Sequence, residues 1–210
     1  MSEDILAEAY SHVIEFVRQH HPEEIDAAYD FFWEEEDPTD ILGGHSLELG
    51  FINFEDWLIC DYLPADGSPG FIDRYIEAEA PSDEFKEVLD KLKKSFISLY
   101  EVTRPGNPIG LKDIAVGGDA FESDDEQMSE LEQGYTFAAR FIELNDSQEI
   151  CGCVYPFGIK MKEEILKLID AQYARYKKNK NPEGTMKDFL VSESYAFNMT
   201  WMSCLDRPMK

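Results

Sequence analysis

Cys151-Gly152-Cys153 is the one segment whose residue types and spacing suggest chemistry at first sight. Residues i and i+2 of a strand point to one face, so two thiolates placed there could meet one metal ion. A structural zinc site needs four ligands. Cys60, Cys204, His12, His20, His21 and His45 are the remaining candidates, and none forms a second pair at ligand spacing. A thioredoxin-type redox motif separates its cysteines by two residues, not one. The expectation is two thiols facing a core, with no stoichiometric zinc and no structural disulfide; Cys60 and Cys204 read as small buried hydrophobes.

The other polar residues are explained without catalysis. His20 and His21 fall at a predicted helix end, where the dipole favours an imidazolium. His45 precedes Ser46 in a Gly-Gly-His-Ser loop, but the G-x-S-x-G pattern of a nucleophile elbow is missing. The run Glu34-Glu35-Glu36-Asp37 lacks the alternating ligands and the glycine of a calcium loop. No glycine pattern matches a phosphate-binding loop. Carboxylates are so abundant that no pair stands out as an acid–base couple. These residues assign no catalytic, cofactor-binding or metal-binding position, and no cofactor is expected.

That abundance is itself informative. The 210 residues hold 44 Asp and Glu against 19 Lys and Arg, a net charge of −25. With 43% hydrophobic and 13% aromatic residues, the chain still has the material for a sizeable core and is not of the disordered class. Residues 1–100 carry 25 acids and 6 bases, residues 101–156 carry 12 and 3, and residues 157–210 carry 7 and 10. Polyanion binders need clustered bases to displace counterions, so nucleic acid is not an expected partner. The one basic concentration is Lys160, Lys162, Lys167, Arg175, Lys177, Lys178 and Lys180, read as a solvated helix face opposing the acidic remainder. No apolar run approaches the ~20 residues of a membrane span. The start, Met1-Ser2-Glu3-Asp4, is acidic rather than secretory. With only four scattered cysteines, these features point to a cytoplasmic protein that does not meet membrane.

The elements that must position these residues follow from periodicity. Ser2 is expected to cap a helix ending at His20-His21, and Pro22 to open a second carrying Ile25, Ala28, Tyr29 and Phe32. Pro38 should end that helix, leaving 38–46 as a loop. A helix over about 47–62 follows, then a Pro/Gly turn at 64–70, a short helix from Phe71 and another from Ser82. Beyond residue 95 the period shortens to about two, and five short strands separated by tight turns predict a small barrel. One helical turn is expected at 128–134. The last stretch is helical again: Ile165, Ile169, Tyr173 and Tyr176 form a stripe, and Thr185 with Asp188 caps a final helix carrying Phe189, Ala196 and Phe197. The fold class is α+β: an N-terminal helical layer (1–95), a small antiparallel SH3-like or OB-like barrel (96–156) and a C-terminal helical pair (157–210), expected as one compact unit.

The segment Phe54–Glu77, with Phe54, Trp57, Asp61 and Tyr62 as its distinctive residues, resembles the Phe-x-x-Trp-x-x-x-Asp-Tyr helix, turn and second helix of an uncharacterised bacterial family. Some relatives of that family carry a cysteine-rich, zinc-binding SEC-C tail. The resemblance extends in order over about 50–190, and this chain departs from the tailed relatives in lacking the tail. It implies no activity and supplies no catalytic residue.

A barrel flanked by helices without a catalytic set reads as a non-catalytic protein-binding or adaptor module, with a protein partner and room for association with a second copy. The runner-up is a hydrolase or metal-dependent enzyme built from scattered carboxylates and His45. A weaker reading is an acidic mimic of nucleic acid.

Overall fold

The computed structural model describes residues 2–205, and the side chains from Ile5 onward apart from that of Gln127. The cap expected at Ser2 lies outside the described side chains. Contacts group the chain into two units, residues 1–95 with 151–153, and residues 96–150 with 154–210.

The first unit contains α1 (Ser2–His20), α2 (Pro22–Phe32), α3 (Pro38–Ile41), α4 (His45–Cys60), α5 (Phe71–Glu79) and α6 (Asp83–Lys94). Apolar stripes decide which face each helix buries. Leu6, Ala9, Val13, Phe16 and Val17 line the inner face of α1. In α6, Phe85, Val88, Leu89 and Leu92 are buried at i, i+3, i+4 and i+7. Each such side chain contributes about 1.5–3 kcal/mol relative to exposure. The Ser82 hydroxyl caps α6 by accepting from the Phe85 amide at 3.3 Å, and Lys91, Lys93 and Lys94 complement its negative end.

Pro38 does not end a helix but starts one. α2 stops at Phe32 because Glu34 and Glu35 take left-handed backbone angles, φ 54° and 64°. Asp37 then caps α3 by accepting from the Thr39 amide at 2.8 Å, with Pro38 in the first turn, where its missing N–H costs nothing.

The second unit begins with β1 (Ile97–Arg104), β2 (Ile109–Asp113) and β3 (Phe121–Ser123), followed by β4 (Thr136–Leu144) and β5 (Ser147–Pro156). The sheet order is β3-β2-β1-β4-β5. β1 pairs antiparallel on both sides, setting Glu101 opposite Lys112 and Leu99 opposite Ala138. The Ser123 hydroxyl on β3 donates to the Gln148 carbonyl on β5 at 3.0 Å, so the two outer strands of the five meet. Tyr100, Val102, Ile109, Leu111, Phe137 and Ala139 are among the residues that form the core of this sheet. Asn145 and Asp146, at φ 50° and 65°, make the two-residue turn that a tight hairpin demands between β4 and β5. The helical turn expected at 128–134 is instead a 3-10 turn at Glu126–Met128.

The C-terminal part is three helices rather than a pair: α7 (Lys162–Asn179), α8 (Met186–Ser192) and α9 (Ala196–Leu205). Thr185 and Asp188 form the reciprocal capping box at the start of α8. The single last helix expected from Thr185 breaks at Glu193, whose backbone (φ −118°, ψ 48°) leaves the helical region. Glu193 also holds Lys180 of the preceding helix end at 2.6 Å.

Candidate functional site

The inward face of α4 carries Asn53, Phe54, Asp56 and Trp57, all buried. Asp56 is fully inaccessible, and its Oδ1 accepts from the Tyr10 hydroxyl on α1 at 2.5 Å. The Cys60 thiol, one turn further on, lies 4.0 Å from the same oxygen and 3.8 Å from the tyrosine oxygen. Gly152, at φ 56°, passes so close that a β-carbon there would stand 2.3 Å from Asp56 Oδ1 and 2.8 Å from Asp56 Cβ. This constellation behaves as a buried hydrogen-bonding node that fixes α1, α4 and the Cys151–Cys153 segment within the first unit. An open depression of about 420 Å³ lies beside it, lined by Tyr10, Glu15, Arg18 and Glu55 among others, with Arg18 and Glu55 ion-paired.

Trp57 fills the aromatic cluster next to the node. Phe32, Phe31 and Tyr62 lie with ring centroids 5.2, 5.7 and 5.3 Å away, the Phe31 ring stacked nearly parallel. Burial pushes the Tyr62 hydroxyl up from its ordinary value, an effect that the charge of Glu24 reinforces.

Cys151 and Cys153 are buried, as expected, but not in the core expected of them. Strand alternation requires an extended residue between them, and Gly152 is left-handed. Neither thiol belongs to the sheet's core cluster; their segment groups with the helical unit. Cys60 and Cys204 are half-buried, not buried as their apolar neighbours implied. Burial pushes the Cys204 thiol up, away from reactivity.

The histidines do not converge. His12 lies 3.4 Å from the Tyr75 hydroxyl and 3.8 Å from Glu8. His20 packs on Phe16, and His21 meets Glu24 at 3.1 Å and Arg74 at 3.4 Å. His45 is the first residue of α4, largely exposed, with Glu48 at 3.4 Å. Among the described residues no three His, Cys, Asp or Glu side chains are arranged to hold a metal ion.

Two surfaces keep unspent charge. On α2 and the turn after it, Glu23, Asp26, Asp30, Glu34, Glu35 and Glu36 are exposed, and among the described residues none of them is within ion-pair distance of a cation. On α7 the expectation that the bases oppose acids of the same fold holds for two. Lys162 pairs with Glu101 at 2.7 Å, and Lys180 with Glu193, whose hydrogen bond raises the lysine above its ordinary ammonium value. Lys177 lies over the Tyr173 ring at 5.6 Å, and Arg175 and Lys178 are exposed on the same helix. Arg175 lines an open groove of about 270 Å³ between α7 and the α8–α9 segment, with Phe189 and Met199 among its apolar walls.

Sequence reasoning missed both Asp56 and this groove. Asp56 had a signal, because an acid flanked by Phe54, Trp57 and Leu58 on an apolar helix face must be paired or hydrogen-bonded. The groove had none, since its walls come from separate helices.

Among the described residues no helix is long and apolar enough to cross a membrane. Comparison with curated proteins and with solved structures gives no match. A family description does match, over residues 51–192, a stretch that includes Asp56, Trp57, Cys60, Gly152 and all of α7 and α8. The chain belongs to that family, DUF7986, a family of unknown function.

Proposed function

We propose that this chain is a cytoplasmic, non-catalytic protein-binding module of the adaptor kind, and that the exposed acidic face of its helical unit receives a basic partner protein. The observation that supports this most is the set of exposed carboxylates on α2 and the following turn that have no cation within ion-pair distance among the described residues. Such a surface steers basic partners toward encounter and discriminates against acidic ones. The enzyme reading built on His45 finds no support, because that ring is paired with Glu48 on the surface rather than set among converging groups. The same proposal places the chain among bacterial relatives of SEC-C proteins, on the Phe54, Trp57, Asp61 and Tyr62 pattern inside the matched segment.

The test is capture from cell extract by immobilised protein at low salt and near 0.15 M, repeated with Glu23→Gln, Asp26→Asn and Asp30→Asn combined. The expected result is a basic protein retained by the wild type, released by salt and lost by the triple variant, whose helix content stays unchanged. Capture that ignores both salt and the three neutralisations would overturn the acidic face as the docking surface.

A further inference from the structure

The groove on α7 has the opposite sign from the acidic face, in a chain whose net charge is −25. Gln172, Arg175, Tyr176, Asn179 and Lys180 recur at i, i+3, i+4, i+7 and i+8, so one continuous stripe of α7 forms its wall. From Gln172 to Asn179 that stripe runs about 10 Å, at about 1.5 Å per residue. An extended chain covers that length in roughly three residues at about 3.3 Å each. Two of the polar wall groups end in amides, Gln172, whose N–H already donates to the Thr200 hydroxyl at 3.2 Å, and Asn179, and the apolar wall includes Phe189 and Met199. Glu193 also lines the groove, and its carboxylate is paired with Lys180 at 2.6 Å, so these two charges offset each other. Arg175 is exposed, and no described carboxylate lies within ion-pair distance of it.

We propose that this groove docks a short carboxylate-bearing segment of a partner protein, with Arg175 gripping a carboxylate and an apolar partner side chain seated against Phe189 and Met199. The chemistry selects the occupant. A guanidinium presents a planar fork that matches a carboxylate through two parallel hydrogen bonds. Lys177 and Lys178, on the same turn as Arg175, add positive field without lining the groove. The acidic remainder of the chain opposes a polyanion at long range, but at physiological ionic strength that field decays within about 8 Å. A short segment with one or two acids therefore meets the local sign of α7, whereas a nucleic-acid backbone does not fit an aromatic and apolar slot of this length. This second surface goes beyond the acidic face and does not depend on it; together they would let one chain bridge two partners of opposite charge.

Fluorescence anisotropy tests it, with three fluorescein-labelled probes near 0.15 M salt: a short peptide of glutamate and leucine, its lysine and leucine counterpart, and a duplex DNA. The expected result is saturable binding of the glutamate peptide alone. Arg175→Glu should weaken it at least about tenfold, roughly 1.4 kcal/mol, and Met199→Glu should abolish it. Lys177→Glu, a charge change off the groove, should cost distinctly less than Arg175→Glu. Because Arg175 is exposed, its variant should keep the wild-type thermal midpoint, so a loss of binding reports on the groove and not on folding. Absence of glutamate-peptide binding, equal losses for Arg175→Glu and Lys177→Glu, or preference for the lysine peptide or the DNA would each overturn the proposal. A dimer of the unliganded chain in sedimentation that Arg175→Glu dissolves would also overturn it, by placing a second copy in the groove. None of these outcomes bears on salt-released capture through Glu23, Asp26 and Asp30, which stands or falls separately.

Discussion

Replacing Gly152 with alanine adds one methyl group, and the geometry around that glycine says how much it should cost. A β-carbon there would stand 2.3 Å from Asp56 Oδ1 and 2.8 Å from both Asp56 Cγ and Cβ. The oxygen could swing away, but Asp56 Cβ is anchored to α4, so either the helix or the Cys151–Cys153 segment must shift. Gly152 is itself exposed, but the added carbon would press on fully buried Asp56, and forcing volume against a packed side chain costs about 1–3 kcal/mol. The backbone adds to this, because at φ 56° a β-carbon crowds the following carbonyl, a penalty of about 1–2 kcal/mol. Together the expected loss is about 2–5 kcal/mol, a large part of the ~5–15 kcal/mol that stabilises an ordinary domain. Urea unfolding followed by far-UV circular dichroism measures it as a lowered midpoint. Gly67→Ala is the control: its φ is also positive, at 80°, but nothing lies within 4 Å of the added carbon, so it should show the backbone penalty alone. A double-mutant cycle with Tyr10→Phe adds a second check, since both changes act on the same carboxylate and should not be additive. If Gly152→Ala costs no more than Gly67→Ala, the close approach to Asp56 is not a packed contact and the node loses its keystone.

Three further outcomes follow from the same geometry. Trp57→Ala removes a side chain only 4% exposed from between Phe32, Phe54 and Tyr62, and should destabilise by about 3–5 kcal/mol in urea; wild-type stability would show the ring to be an interface residue instead. Tyr10→Phe deletes the 2.5 Å hydrogen bond to buried Asp56 and should cost roughly 1.5–3 kcal/mol, whereas an unchanged midpoint would mean the phenol contributes nothing. Hydrogen bonds from the Thr185 amide and hydroxyl hold the Asp188 carboxyl below its ordinary value of 3.8. A depressed folded value means the cap's contribution is present above that ordinary value and is lost as pH falls through the folded one. Carboxyl titration by NMR should therefore place Asp188 below 3.8 and return it toward 3.8 in Thr185→Val.

The features legible in the sequence are those set by residues close together in the chain. The stripe of α6, the proline opening α2, the Thr185–Asp188 box and the Asn145–Asp146 hairpin each depend on a few consecutive positions, and each forms where those positions place it. Pro38 shows the limit of that reasoning: the same residue ends one helix or begins another, and Asp37 decides it by capping Thr39. The break between α8 and α9 falls at Glu193, which also pairs with Lys180 13 residues earlier, a contact no local pattern announces. The Cys151-Gly152-Cys153 motif was legible as a pair of buried thiols and misleading as to the core they enter. Its spacing mattered only if Gly152 were extended, and what Gly152 does is turn left-handed and let the backbone approach Asp56. That is the physical reason the chemistry-like residues and the site came apart. Cys151 and Cys153 are buried and group with the first unit, while the exposed charges on α2 and at Arg175 look like ordinary surface in the sequence. The proposed adaptor role would draw on those exposed groups, since binding energy must come from groups that folding has not already consumed.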